Sequence, residues 1–384
     1  MVMYMKKIKL LFEAVLIFSV CLSSGCGEIR ETEGKKEPVK IVFASYRDNT
    51  GALKALTEEF MSLNENINVK LMALSNHSSE NYRILSSVLS GNEVSVDIMA
   101  VEDVWLKGFI EQGYIKPVMK SVKWDAAEYP KRFSDLTEKD GECYGIPFEL
   151  DMGTMFYRRE LTDGSLDLKQ LSGQSEIKYF IGETDGEDKV CTAMECIRLA
   201  GSFEDGLKLY KDFAENSAFK EKNSVREFSD KSIAYMRCWN SLSGQLHAEM
   251  DKDWKSIRTA VMESGGKSYA TARVYCLAVN AALEKEKEAA AAEFLNFMLE
   301  EKNQLEFNKN SGTVPLKYKY YKNPIALDYS EQNEKIGNYL NNLNYRNMLS
   351  DYMQRSKEAQ EALENFVEGG DINEAKGKIK VLMN

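Results

Sequence analysis

Three short strand patterns separated by two helical patterns constrain the fold of this 384-residue chain more than any other feature. Residues 39–44 form a nearly continuous apolar run, which is typical of a parallel strand covered on both faces. Residues 53–63 carry apolar side chains at helical spacing, and residues 67–71 alternate like a strand. A second helical pattern over residues 82–89 leads to the apolar run 96–101. This succession predicts an α/β fold.

Helix signals support this interpretation at both ends of the chain. Asp48, Asn49 and Thr50 precede the first helical pattern and can cap its free amides. Two further amphipathic helices are predicted over residues 290–305 and 352–366. With 43% hydrophobic residues, the chain has enough apolar material for about two domains of ordinary size.

Composition argues against several kinds of partner. The formal net charge of −10 opposes phosphate binding, so no nucleic-acid partner is expected. His77 and His247 are the only histidines, and neither belongs to a cluster with the spacing of metal ligands. We therefore predict neither a metal site nor a cofactor.

Cysteine usage is sparse beyond residue 26. The five remaining cysteines show no framework spacing and are interpreted as free thiols, most of them buried. Cys191 and Cys196 are only five residues apart, so a disulfide between them is an alternative. The sequence does not decide it, because spacing alone does not establish the geometry that a disulfide needs.

The N-terminus has the pattern of an export signal. Lys6, Lys7 and Lys9 precede an apolar run over residues 10–22, which ends in the sequence Leu-Ser-Ser-Gly-Cys at Cys26. This resembles a bacterial lipoprotein signal. The resemblance implies removal of residues 1–25, lipidation of Cys26 and attachment to the outer face of the cytoplasmic membrane. The alternative is an ordinary secretory signal cleaved near Ser24.

A charged segment follows the signal. Residues 26–37 contain almost no apolar side chains and are predicted to form a flexible tether. Beyond the signal, no stretch reaches the length of an apolar membrane-spanning helix.

Four segments, in order along most of the mature chain, match a known family. They are residues 97–105 with 113–118, residues 144–151 with 156–161, residues 233–240, and residues 292–298 followed by Gln304, Gly312 and Pro315. Together they resemble the carbohydrate-binding lipoproteins of ABC importers, and the maltose- and trehalose-binding proteins in particular.

This resemblance implies a two-lobed periplasmic-binding-protein (type II) fold with a hinge between the lobes. The chain is expected to cross between lobes near Pro147, Tyr275 and Tyr318. The implied lobes are discontinuous: an N-lobe of residues 38–146 and 275–317, and a C-lobe of residues 147–274 and 318–384.

Two acids are the first candidates for ligand binding, because sugar hydroxyls need polar partners. Asp103 follows an apolar strand, where loops of α/β sheets build ligand crevices, although a helix cap explains it equally well. Asp151 matches the family's acid at the lobe crossing, and Glu149 is its substitute if the register slips.

Aromatic residues supply the apolar faces that sugar rings stack on. The resemblance assigns stacking to Trp239, with burial in the core as the alternative, and assigns a cleft position to Tyr275. The family has a Gly-Gly pair before that aromatic residue, whereas this chain has Arg273 and Val274, which add bulk near the ligand.

Trp105 and Arg346 complete the set of candidate ligand contacts. Trp105 is a weaker candidate than the residues above, because its alternative is inward packing on its helix. Arg346 matches its family segment only loosely.

These features predict a lipid-anchored, monomeric receptor that captures a di- or oligosaccharide and delivers it to an ABC permease. A diverged sensory or structural lipoprotein, or a binder of a non-sugar solute, is the first alternative. The second is a glycoside-processing enzyme that uses Asp103, Glu149 or Asp151 as acid and base. We expect a receptor, not an enzyme.

Overall fold

The computed structural model of the protein describes residues 37–91, 96–162, 179–181, 186–216, 228–250, 256–264, 267–317, 319–320 and 343–383. The predicted signal, the lipidation site Cys26, tether residues 26–36 and the crossing at Tyr318 lie outside these residues. Residues 38–384 form one unit by their internal contacts.

The described strands follow one another along the chain in this order: β1 Val39–Ser45, β2 Ile67–Ala73, β3 Ile98–Glu102, β4 Ile115–Lys116, β5 Glu138–Lys139, β6 Glu142–Cys143, β7 Ile146–Arg158, β8 Tyr179–Ile181, β9 Tyr235–Trp239, β10 Ile257–Ala260, β11 Glu263–Ser264, β12 Lys267–Ser268, β13 Ala270–Asn280 and β14 Leu343–Asn344.

The described α-helices are α1 Ala52–Leu63, α2 Ser78–Ser90, α3 Asp103–Glu111, α4 Lys131–Asp135, α5 Gly186–Ala200, α6 Phe203–Asn216, α7 Leu242–Met250, α8 Glu288–Met298, α9 Glu301–Ser311, α10 Tyr352–Val367 and α11 Ile372–Leu382. Short 3₁₀ turns occur at Ala126–Glu128 and Lys285–Lys287.

The main sheet has the strand order β2-β1-β3-β13-β7-β9-β8. β1 is parallel to both β2 and β3, in agreement with the parallel-sheet pattern of residues 39–44. β13 lies between β3 and β7 and is antiparallel to both. β7 is 13 residues long and buried along its whole length, because it pairs first with β13 and then with β9 and β10. The α/β prediction is confirmed.

The predicted cap of the first helix is confirmed. Asp48 Oδ2 accepts from the amide of Leu53 at 2.8 Å, and Thr50 Oγ1 accepts from the amide of Ala52 at 3.2 Å. Gly51 supplies the left-handed backbone, with φ of 78°, that joins this cap to α1.

The prediction of a single helix over residues 290–305 is wrong in one respect. This segment is two helices, α8 and α9, because the backbone turns extended at Glu300, with ψ of 139°. The helix predicted over residues 352–366 is confirmed as α10.

Aromatic packing builds the core under β1. Phe294 of α8 meets the ring of Phe43 at 5.5 Å and the ring of Phe60 at 5.0 Å, both in edge-to-face geometry. A separate apolar cluster around Phe156, Met236 and Phe228 lies at the other end of β7.

The two-lobed division stays a prediction. β7 and β13, which carry the predicted crossings at Pro147 and Tyr275, run uninterrupted through the sheet that joins both halves. In the described ranges, helices with the length and apolarity needed to cross a bilayer do not occur.

The described cysteines are free thiols. Cys191 and Cys196 both lie buried on α5, and burial raises the pKa of each. Within the same residues, no three His, Cys, Asp or Glu side chains are grouped as metal ligands.

Candidate ligand-binding site

A cavity of about 110 Å³ lies at the carboxyl ends of β1 and β2. Three aromatic rings and a larger number of polar side chains surround it. Its lining consists of Tyr46, Arg47, Asp48, Asn49, Thr50, Asn76, Ser78, Glu149, Asp151, Glu187, Asp188, Cys238, Trp239, Ser241, Leu242, Gln245, Arg273, Tyr275, Ser311 and Thr313.

Strand ends place one side of this lining. Residues 46–50 follow β1 directly, and Asn76 and Ser78 follow β2. Because β1 and β2 are parallel, their carboxyl ends meet at one edge of the sheet, which is where α/β proteins form ligand crevices.

Two antiparallel strands supply a second side. Arg273 of β13 pairs with Asp151 of β7, and Tyr275 pairs with Glu149. These residues alternate along their strands, so all four side chains project from the same face of the sheet. The cross-strand pairing thereby brings three of the predicted site residues to the cavity.

Asp151 is held by the protein on both carboxylate oxygens. Oδ1 accepts from the amides of Met152 and Ser241, each at 3.0 Å, and Oδ2 accepts from Ser241 Oγ at 2.6 Å. Arg273 Nη2 donates to Oδ2 at 2.9 Å. The carboxylate therefore orients its neighbours and has little capacity left to accept from a ligand.

Glu149 differs from Asp151, because neither of its carboxyl oxygens has a hydrogen-bond partner among the described residues. The side chain is 1% exposed. Burial raises the pKa of Glu149 to about 8, and the nearby charge of Asp151 adds to the shift. The hydroxyl groups of Tyr46 and Thr313 lower the pKa in part, although neither hydroxyl meets the geometry of a hydrogen bond to Glu149. At neutral pH the group is mostly a neutral acid, able to donate and to accept.

The aromatic residues Tyr46, Tyr275 and Trp239 line the cavity. Tyr46 and Tyr275 lie with ring centroids 4.6 Å apart at 38°. Trp239 ends β9, is 6% exposed and donates from Nε1 to Asp188. The guanidinium carbon of Arg273 lies 4.0 Å from its ring centroid.

Asp103 and Arg346 lie behind the cavity lining, where Arg346 contacts the lining residue Glu187. Arg346 Nη2 donates to Asp103 at 3.1 Å, and its Nη1 donates to Glu102 at 3.1 Å and Glu187 at 3.0 Å. Arg346, Glu102 and Asp103 are fully buried. Neither Asp103 nor Arg346 lines the cavity, and together they join β3, α3 and α5 in the interior.

Trp105 also lies away from the cavity. It is 2% exposed and belongs to the main apolar core, with its ring 5.9 Å from Tyr82 and 6.3 Å from Phe109. The inward-packing alternative describes its position.

Several lining residues escape sequence reasoning. Asp48 was assigned only to the helix cap, and Tyr46 stands next to it without any motif of its own. Glu187 and Asp188, in the first turn of α5, follow a polar segment without a helical signal. The sequence analysis considers Arg273 only for its bulk. The pairing of β13 with β7 places Arg273 opposite Asp151, and strand alternation is the signal that could have identified Asp151 as its partner.

Comparison with known proteins identifies the family. The family described as bacterial extracellular solute-binding protein matches residues 55–331 of this chain. The fold is also that of known structures at low sequence identity, with alignments that span nearly all of each protein.

A maltose-bound MalE3 of T. maritima has a TM-score of 0.80 and 17% identity, over 89% of this chain and 98% of that one. The GacH receptor of Streptomyces glaucescens has a TM-score of 0.77 and 16% identity, over 90% and 98%. A ribitol-bound solute-binding protein of Agrobacterium radiobacter has a TM-score of 0.74 and 18% identity, over 90% and 98%.

The structural matches confirm the periplasmic-binding-protein fold, and the family match confirms an extracellular solute-binding protein, a family of receptors and not of enzymes. The sequence match alone spans well over half of the chain. The protein belongs to the family of bacterial extracellular solute-binding proteins.

Proposed function

We propose that this protein is the receptor component of an ABC importer and that it captures a carbohydrate or related polyhydroxylated solute. Lipid on Cys26 holds it at the outer face of the cytoplasmic membrane, and the residues before β1 act as a tether. The receptor binds as a monomer and passes its ligand intact to the permease.

The observation that carries this proposal is the combination of Glu149 with the cavity's aromatic rings. A buried carboxyl group without a partner is unfavourable unless a ligand completes its hydrogen bonds. Hydroxyl groups of a sugar both donate and accept, which suits a neutral acid. The rings of Tyr46 and Tyr275 offer the apolar surface that sugar C–H groups contact.

Structural relatives support the same ligand class. The T. maritima protein is bound to maltose, GacH forms a complex with acarbose, and the A. radiobacter protein forms a complex with ribitol. All three ligands carry several hydroxyl groups.

Thermal unfolding of the chain lacking residues 1–26 tests the ligand class, because a ligand that binds the native state raises its stability. We expect a higher melting temperature with at least one sugar or polyol in a panel of mono- and oligosaccharides and pentitols. Chromatography after incubation should recover that ligand unchanged. Hydrolysis of the ligand would contradict the receptor function.

Two matched variants assign the effect to the cavity. Glu149→Ala should abolish the stabilisation, because it removes the free carboxyl group. Glu138→Ala, at an exposed position of β5, should retain it. Equal responses of the two variants would show that binding takes place elsewhere.

A further inference from the structure

The ring of Trp239, to which the family resemblance assigns stacking, already has a partner. The guanidinium carbon of Arg273 lies 4.0 Å from the centroid of this ring and 5.4 Å from that of Tyr275. Both distances are within the range of cation–π attraction. The Arg273 side chain is only 13% exposed, so its contact with the ring is largely shielded from water.

Asp151 fixes the guanidinium in this place. Its Oδ2 accepts from Arg273 Nη2 at 2.9 Å and from Ser241 Oγ at 2.6 Å. The charge pair and the ring contact restrain the arginine from two directions. A ligand ring that stacked on Trp239 from this side would have to break both contacts.

The same arrangement leaves two unused hydrogen-bonding groups at the cavity. Arg273 Nε is buried and has no partner among the described residues, and the same holds for both carboxyl oxygens of Glu149. Both side chains line the cavity. Together they offer a donor and a donor–acceptor group to a ligand with several hydroxyls.

The volume of the cavity agrees with a small ligand. A water-sized group requires roughly 10–15 Å³ of such space. A cavity of about 110 Å³ therefore holds on the order of ten such groups. This matches one sugar ring with its hydroxyls.

Building on the carbohydrate-binding function proposed above, we propose that Arg273 determines the ligand specificity of this cavity. By covering Trp239, it restricts the site to a single sugar ring or a short polyol, which hydrogen-bonds to Glu149 and to Arg273 Nε. Stacked di- and oligosaccharides, which the family resemblance implies, are excluded.

Calorimetric titration of the chain lacking residues 1–26 tests this specificity with D-glucose, D-galactose, D-xylose, ribitol, maltose and maltotriose. We expect at least one of the first four to bind about tenfold or more tightly than maltose and maltotriose. Arg273→Gly restores the family's small residue and uncovers the part of the Trp239 ring that Arg273 contacts. It should reduce that preference by about tenfold or more.

Two further variants keep the test decisive. Arg258→Gly removes an arginine from β10, away from the cavity, and should preserve the preference of the wild type. Arg273→Met retains length while removing the charge and the Asp151 contact. It should also reduce the preference for the single-ring ligands, and it takes the place of the glycine variant if that variant does not fold.

The outcomes separate this inference from the function on which it rests. Maltotriose binding to the wild type as tightly as the single-ring ligands, or an unchanged preference in folded Arg273 variants, would overturn the role of Arg273 and leave carbohydrate binding intact. A folded wild type that binds none of the six compounds would overturn both.

Discussion

Glu195 of α5 and Arg237 of β9 form a two-contact ion pair in the interior of the protein. Arg237 Nη2 lies 2.7 Å from Glu195 Oε1, and Nε lies 3.1 Å from Oε2. Both side chains are fully buried, and the amide of Thr271 also donates to Oε1 at 2.7 Å. Arg237 lies beside the ring of Trp239, so the pair supports the cavity from below its surface.

Arg237→Met should lower the free energy of unfolding by about 3–5 kcal/mol, because it leaves the Glu195 carboxylate buried without its counter-charge. Urea denaturation measures the change. The double variant Arg237→Met/Glu195→Met should recover most of the loss, since neither charge of this pair is then left buried without the other. Additive losses in the double variant would contradict the coupling of the two residues.

Gly153→Ala should also destabilise the protein, by about 1–3 kcal/mol. A Cβ at this position would collide with Glu195 Oε1 and Arg237 Nη2, which cannot yield without breaking their pair. Gly377→Ala on α11 is the control, since a Cβ there meets nothing within 4 Å. It should gain up to about 1 kcal/mol of helix propensity. Calorimetric melting of both variants distinguishes collision from a general effect of alanine.

Glu149→Gln should change how stability depends on pH. The pKa of Glu149 is raised to about 8 in the folded state from an unfolded value near 4.5. The folded state therefore binds the extra proton between these values, so its contribution to stability is present at low pH and is lost as pH rises through 8.

The neutral amide cannot ionise. Relative to the wild type, Glu149→Gln should be increasingly stable from pH 5 to pH 8, by an amount on the order of a few kcal/mol at the upper end. Urea unfolding across this range measures the difference. A constant difference between the two proteins would show that Glu149 keeps an ordinary pKa.

Arg346→Met should destabilise the fold by about 3 kcal/mol or more, because Glu102, Asp103 and Glu187 lose the guanidinium that they share. Arg355→Met is the control, since Arg355 pairs with Asp351 at an exposed helix position and its loss should change little. Equilibrium denaturation compares the two. Similar stabilities of the two variants would show that the ion pairs of Arg346 contribute little to the stability of the fold.

Cys26→Ser in the full-length chain should move the protein from the membrane fraction to the soluble extracytoplasmic fraction. The physical reason is the loss of the thiol that our proposal assigns to acylation. Fractionation followed by immunoblotting measures the distribution. Retention in the membrane fraction would show that lipid on Cys26 is not the anchor.

Local patterns predicted the first half of the sheet well. The pattern at residues 96–101 became β3, which is buried on both faces and therefore needs apolar side chains at consecutive positions, whereas the alternation at residues 67–71 became β2, in which buried and exposed residues alternate at the start of the strand. The apolar run at residues 39–44 became β1. The cap at Asp48 was predictable because it is a local contact, with its partner Leu53 only five residues away.

Partners distant in sequence were not predictable in this way. Asp103 has the position of a cleft acid, yet its side chain pairs with Arg346, 243 residues away. Arg273 similarly finds Asp151 across 122 residues. The spacing of residues within one segment contains no information on such distant pairs. These pairs nevertheless decide whether a polar side chain contacts a ligand or another part of the protein.

The position of β13 in the sheet also determines when the protein can fold. β13 separates β3 from β7, although it follows both in the chain, so the two earlier strands have no shared neighbour until it arrives. During secretion, the segments translocated first must wait with open strand edges, which are prone to pair wrongly. We expect folding to complete only after β13, in the last third of the chain, has crossed the membrane. Until then the partly translocated chain is the species most exposed to wrong strand pairing.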